Sequence, residues 1–150
     1  VELLLVAEAP PCDVERYYYF EDVDRHDWLF RYVYEGLTGE KPKRSAKPSH
    51  LARLRDAGVY MIDLHEGNVG QPSVATLREH VQGLIGRCVE IKPRAIVLIK
   101  SVVHEAAHAA LAEAGLPVID ERIPFPASGQ QKKFLESFRR AVEASGFVLR

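Results

Sequence analysis

Three short runs of uninterrupted apolar character, Leu3-Leu4-Leu5-Val6, Val59-Tyr60-Met61-Ile62 and Ala95-Ile96-Val97-Leu98-Ile99, most restrict how this chain can fold. A strand with one wet face alternates apolar and polar residues. A run without alternation is buried on both faces, which points to a parallel sheet covered by helices on each side. The stretches between the runs have helical spacing. Asp27 to Leu37 carries Trp28, Leu29, Tyr32, Val33 and Leu37, with Gly36 and Gly39 near its end. Pro48 and Ser49 open a short helix with Leu51 and Leu54 that stops near Gly58. Ser73 is a candidate N-cap for a helix to about Ile91, ended by Pro93. Ser101 caps a helix to about Ala114, and Gln130 to Ala144 is the last. Leu116 to Ile119 is expected as a fourth, short strand, and Phe147-Val148-Leu149 as a small terminal one. Strands alternating with helices of roughly 10–15 residues predict an α/β chain with right-handed crossovers. The expected architecture is one domain over 1–150: a three-layer α/β/α sandwich on a short parallel sheet of about four strands.

Composition bounds the partners. Lys+Arg 20 against Asp+Glu 21 gives a net charge of −1, so nucleic-acid binding would need a local basic patch. Lys41, Lys43, Arg44 and Lys47 lie in what reads as a basic surface loop, and Lys132, Lys133, Arg139 and Arg140 lie on the last helix. No apolar run approaches the ~20 residues of a membrane span. No signal-peptide pattern is visible, and the chain opens directly on a strand, which leaves room for a missing N-terminal extension. Cys12 and Cys88 read as two reduced thiols, hence a cytoplasmic setting.

Two patterns carry chemistry. His104-Glu105-Ala106-Ala107-His108 is an HExxH sequence. On a helix its two imidazoles share one face and can hold a zinc ion while the glutamate polarises water. The extended form with a later Gly and His is absent, and Glu113 and Glu121 are the leftover third-ligand candidates. A zinc hydrolase is the minor alternative; the main expectation has no metal and no cofactor. The second pattern lies at the strand ends. Val6 runs into Ala7-Glu8-Ala9-Pro10-Pro11, and Ile62 runs into Asp63. In open α/β sheets ligands bind in the crevice outside the carboxyl ends of the strands.

Taken together, these residues resemble the uracil-DNA glycosylase superfamily, from Leu3 to about Val142. Val6-Ala7-Glu8-Ala9-Pro10-Pro11 looks like its first motif, commonly Gly-Glu-Ala-Pro-Gly. Phe20 falls at the aromatic that stacks on the extruded base. Leu51 to Asp63 resembles the segment leading to a base-reading position, and Lys92 to Ile99 the third strand. Ile123-Pro124-Phe125-Pro126-Ala127-Ser128 sits at the His-Pro-Ser-Pro loop. The departures are specific: Ile123 or Phe125 replaces the loop histidine, Asp63 replaces an asparagine, and Ala9 occupies a water-activating position, with Glu8, Asp13 and Glu15 the nearest acids.

The resemblance implies a divergent DNA base-excision glycosylase, or a catalytically silent nucleic-acid or nucleotide-binding member of the same fold. The implied catalytic residues are Glu8, Asp63 and Asp13. Phe20, Tyr19, Pro10, Phe125 and Ser128 would bind the base and its sugar. Gln130, Lys132 and Lys133 would meet the backbone of single- or double-stranded DNA, and the protein would act as a monomer.

Overall fold

Strand β1 (Leu3–Ala7) lies between two others and is buried along its whole length. The computed structural model describes residues 1–11, 18, 19, 21, 28–67 and 72–149. β1 pairs in parallel with β2 (Val59–Asp63) and with β3 (Ile96–Leu98), in the order β2-β1-β3. Ala7 registers with Asp63 and Val6 with Leu98, so the carboxyl ends of the three strands are nearly level.

Successive strand residues point to opposite faces, and that splits the interior in two. Leu3, Leu5 and Ala7 join Val59, Met61, Val97 and Ile99 in a core completed by α1 (Trp28–Thr38), α2 (Lys47–Asp56) and α6 (Gln131–Ser145). Leu4 and Val6 join Ile96 and Leu98 in a second core with α3 (Val74–Glu79), α4 (Val81–Ile91) and α5 (Ser101–Glu113). Helices therefore cover both faces of the sheet.

Four expectations need correction. The sheet has three strands among the described residues: Leu116 to Ile119 contributes only a parallel bridge, Ile96 to Val118. Ile96 donates to the Pro117 carbonyl and accepts from the Ile119 amide, each at 2.9 Å. Pro117 has no amide hydrogen, so the ladder cannot extend toward the start of β3, and the Val118 amide, which points away from β3, bonds the Leu116 carbonyl at 2.8 Å. Residues 147–149 form no strand, and Val148 is left 69% exposed. The expected helix over 73–91 breaks at His80, the C-cap of α3 and the N-cap of α4. Lys47 is not part of a surface loop. It starts α2, is fully buried, and holds its ammonium 4.7 Å from the centre of the Phe30 ring. Ser73 does cap α3, accepting from the Thr76 amide.

α1 and α6 approach each other closely at Gly36. A Cβ built there would lie 2.5 Å from Cδ2 of Phe138, whose ring is fully buried. Alanine normally favours a helix over glycine by about 1 kcal/mol. Here overpacking, typically about 1–3 kcal/mol, opposes that gain. Gly36→Ala should lower stability by about 1 kcal/mol in urea titrations, and a Phe138→Leu background should remove most of the loss.

Candidate functional site

The carboxyl edge of the sheet brings together residues far apart in the chain. Beyond Ala7 the backbone of β1 stays tied to both neighbours: Leu64 N donates to Ala7 O at 2.8 Å, His65 N to Glu8 O at 2.9 Å, and Ile99 N to Val6 O at 2.8 Å. Asp63 is thus the last residue of β2, and Glu8 and Lys100 lie just past the ends of β1 and β3.

Glu8 meets Lys100. Its carboxylate lies 2.9 Å from the Lys100 ammonium, with side-chain exposures of 12% and 29%. The pair is largely withdrawn from water, where an ion pair is screened less than on the surface. Lys100 also holds its ammonium 5.8 Å from the centre of the Phe125 ring. Phe125 is 37% exposed, and its neighbours Ile123 and Pro126 are buried, so the 123–130 loop is anchored with this ring at its surface.

The Lys100 backbone is unusual. Its φ of 81° and ψ of 134° lie outside the left-handed helical well and close to conformations that glycine alone adopts readily. Such a residue costs about 1–3 kcal/mol and persists only where its surroundings hold it. Lys100, not Ser101, is the N-cap of α5, and its side chain makes no cap hydrogen bond. The strain places a long cation, rather than a glycine, beside Glu8.

Asp63 is half-buried at the end of β2. Burial raises its pKa from 3.8 to about 6; the charge of Arg87 opposes the shift and that of Glu66 adds to it. The folded value lies above the unfolded one, so the stability associated with the neutral acid is fully present below about pH 4 and is lost as pH rises through about 6. Arg87, on α4, donates to the Asp63 carbonyl at 2.8 Å and to the Leu64 carbonyl at 3.1 Å, closing the end of β2. Alternation sends the Asp63 side chain to the same face as Val59 and Met61, whereas Glu8, one residue past Ala7, meets Lys100. The two acids share an edge without a direct contact among the described interactions.

The remaining expected residues are distributed unevenly. Asp13, Glu15 and Phe20 lie outside the described residues, as does Cys12; Cys88 is a free, buried thiol. Pro10 lies two residues beyond Glu8 and is partly exposed. Tyr19 sits on the outer edge of β2: its hydroxyl accepts from the Met61 amide at 2.7 Å and donates to the Met61 carbonyl at 3.0 Å. That bond satisfies an edge strand, while Tyr18 packs into the core against Phe30. Ser128, with φ of 53°, and Gly129, with φ of 81°, form the turn into α6, and the Gln130 amide closes it on the Ala127 carbonyl at 3.1 Å. Lys132 and Lys133 are exposed on the first turns of α6, whereas Arg140 is tied to Glu121 at 2.9 Å.

Two contributors escaped sequence reasoning. Lys100 falls between the apolar run ending at Ile99 and the helix from Ser101, and nothing in the local pattern marks it. His65, 9% exposed, lies two residues past Asp63; its Nδ1 accepts from the Gly67 amide at 2.9 Å and its ring packs 4.0 Å from that of His80. A cleft of about 830 Å³ lies at the opposite, amino edge, lined by Glu2, Ser49, Arg53, Asp56, Arg94 and Phe147. Its arginines are paired, Arg94 with Glu2 and Arg53 with Glu40, each at 3.4 Å, and it lies away from the strand ends where ligands bind. No protein-family model matches the chain, and the search of curated proteins finds no match.

Both Lys100→Gly and Lys100→Ala remove the ion pair to Glu8, so their difference isolates the backbone. Glycine is expected to be the more stable variant by about 1–2 kcal/mol in chemical denaturation, the reverse of the usual order. Equal stabilities would mean that Lys100 carries no strain.

Proposed function

We propose that this chain is a divergent DNA glycosylase of the uracil-DNA glycosylase fold, cleaving the N-glycosidic bond of a base flipped out of the helix. The observation that carries the reading is the meeting of Glu8, Lys100 and Phe125, from three separate segments, at the carboxyl edge of a parallel sheet. The resemblance of Val6 to Pro11 and of Ile123 to Ser128 to the superfamily's first and last motifs supports it.

An enzyme of this kind takes its target base out of the stack into a pocket. Glu8 has the chemistry to orient a water toward the sugar carbon and to offset the positive charge that develops on the sugar. Lys100 holds that carboxylate in place. Phe125 offers an exposed aromatic face to the base, the part that Phe20 also has by its place in the sequence. Asp63 reads the base edge. Ionised, it only accepts hydrogen bonds and favours an edge carrying an exocyclic amine; protonated, it donates and accepts, as an asparagine does. With a pKa of about 6, the two states exchange just below neutrality. Ser128, Gln130, Lys132 and Lys133 would meet the phosphates, supplemented by the exposed Lys41, Lys43 and Arg44, so DNA binding should weaken steeply with salt.

The Glu8–Lys100 pair, with no histidine in the last loop, favours a second reading: a member that retains nucleic-acid binding without chemistry. Single-turnover assays decide between them, on duplex and single-stranded oligonucleotides carrying one uracil, hypoxanthine or alkylated adenine. The glycosylase reading expects abasic sites, a rate at least about 100-fold lower in Glu8→Gln, preference for the amine-bearing base above pH 6, and a gain for uracil below it. Asp63→Asn should keep the low-pH preference throughout. Salt-sensitive DNA binding without excision of any substrate would support the binding module instead.

A further inference from the structure

α5 presents its two histidines on one face, one turn apart, with their rings stacked 4.6 Å apart and 10° from parallel. The residue that meets them is neither Glu113 nor Glu121. Glu121 is held by Arg140 at 2.9 and 3.2 Å. Asp120 is the partner: its Oδ1 lies 2.9 Å from Nε2 of His104 and 3.7 Å from Nε2 of His108. One potential ligand atom from each of the three residues lies within 4.8 Å of the others.

We propose that His104, His108 and Asp120 form a three-ligand site for a divalent transition metal of the zinc type. The geometry fits. Bonds of roughly 2.0–2.1 Å at tetrahedral angles put neighbouring ligand atoms about 3.3 Å apart. The two separations to Asp120, 2.9 and 3.7 Å, bracket that edge, and the three ligand atoms lie within 4.8 Å of one another, so closing on an ion takes a rotation of the histidine side chains rather than a movement of the backbone. The charges fit as well. A single carboxylate offsets at most one imidazolium, whereas a shared dication uses the lone pairs of both neutral imidazoles and the anion together.

The placement gives the ion a structural role. Asp120 follows directly on Ile119, whose amide donates to Ile96 at the edge of β3. The histidines are held by a helix whose other face, Val103, Ala106, Ala107 and Leu111, is buried. A bound ion therefore clasps the 117–120 segment, which fails to continue the sheet, onto α5. Three protein ligands leave a fourth position for water. The site is separate from the Glu8–Lys100 pair and does not depend on glycosylase activity.

The test is titration of chelator-stripped protein with Co²⁺, read by its visible absorption, and with Zn²⁺, read by thermal shift and by histidine ¹⁵N NMR of the unmodified protein. The proposal expects one ion per chain, tetrahedral cobalt bands, a raised melting temperature with zinc, and two imidazoles whose Nε2 resonances move on binding. His108→Gln and Asp120→Asn should each weaken binding at least about tenfold, while Glu105→Gln, Cys12→Ser and His80→Gln should leave it unchanged. Absence of saturable binding, or binding that survives both ligand substitutions or is lost in Cys12→Ser or His80→Gln, would overturn it.

Discussion

Everything in this molecule hangs on β1 being buried on both faces. Five consecutive apolar residues pair with β2 on one side and β3 on the other, so every backbone group of the strand has a partner among neighbours of like direction. Alternation then feeds Leu3, Leu5 and Ala7 into one core and Leu4 and Val6 into the other. Each buried leucine contributes roughly 1.5–3 kcal/mol, so β1 joins the two helical layers at the cost of no unpaired polar group. The parallel direction has a functional consequence as well. All three strands end at the same edge, and Glu8, Asp63 and Lys100, at or just past those ends, are delivered there together.

That edge departs from what packing alone would choose. Lys100 holds a backbone conformation suited to glycine, burial pushes the Asp63 pKa up to about 6, and Glu8 is largely withdrawn from water against a single lysine. Strain and perturbed ionisation concentrated at one place are the usual physical marks of a working site, although ion-pair networks also produce them. The opposite edge has a cleft of about 830 Å³, but the arginines that line it are exposed and paired.

The parallel sheet and its helices were legible because doubly buried strands lack alternation. The places where reading failed share a physical cause: a local pattern cannot show what a residue meets across the fold. Val118 is apolar enough for a strand, but Pro117 beside it has no amide hydrogen to extend the ladder with β3. The break at His80 is hidden because α3 and α4 bury Leu77, Val81, Leu84 and Cys88 in the same core, which keeps the periodicity continuous through it. Lys47 sits in a basic run and reads as surface; only the tertiary fold puts Phe30 under its ammonium. At the site, Glu8 and Asp63 were visible as acids ending apolar runs. Lys100 was not, because its importance lies in a backbone angle and a partner 92 positions away. Asp120 was invisible for the same reason: nothing local links it to the histidines of α5.

The most direct test of the claim that the carboxyl edge is the working face is a backbone NMR titration with a short duplex carrying an abasic-site analogue. The account predicts shifts concentrated at Glu8, Asp63, Lys100, Phe125 and the first turn of α6, diminished by salt. Shifts centred on Glu2, Ser49, Arg53 and Arg94 at the amino edge, with the strand ends unmoved, would contradict it.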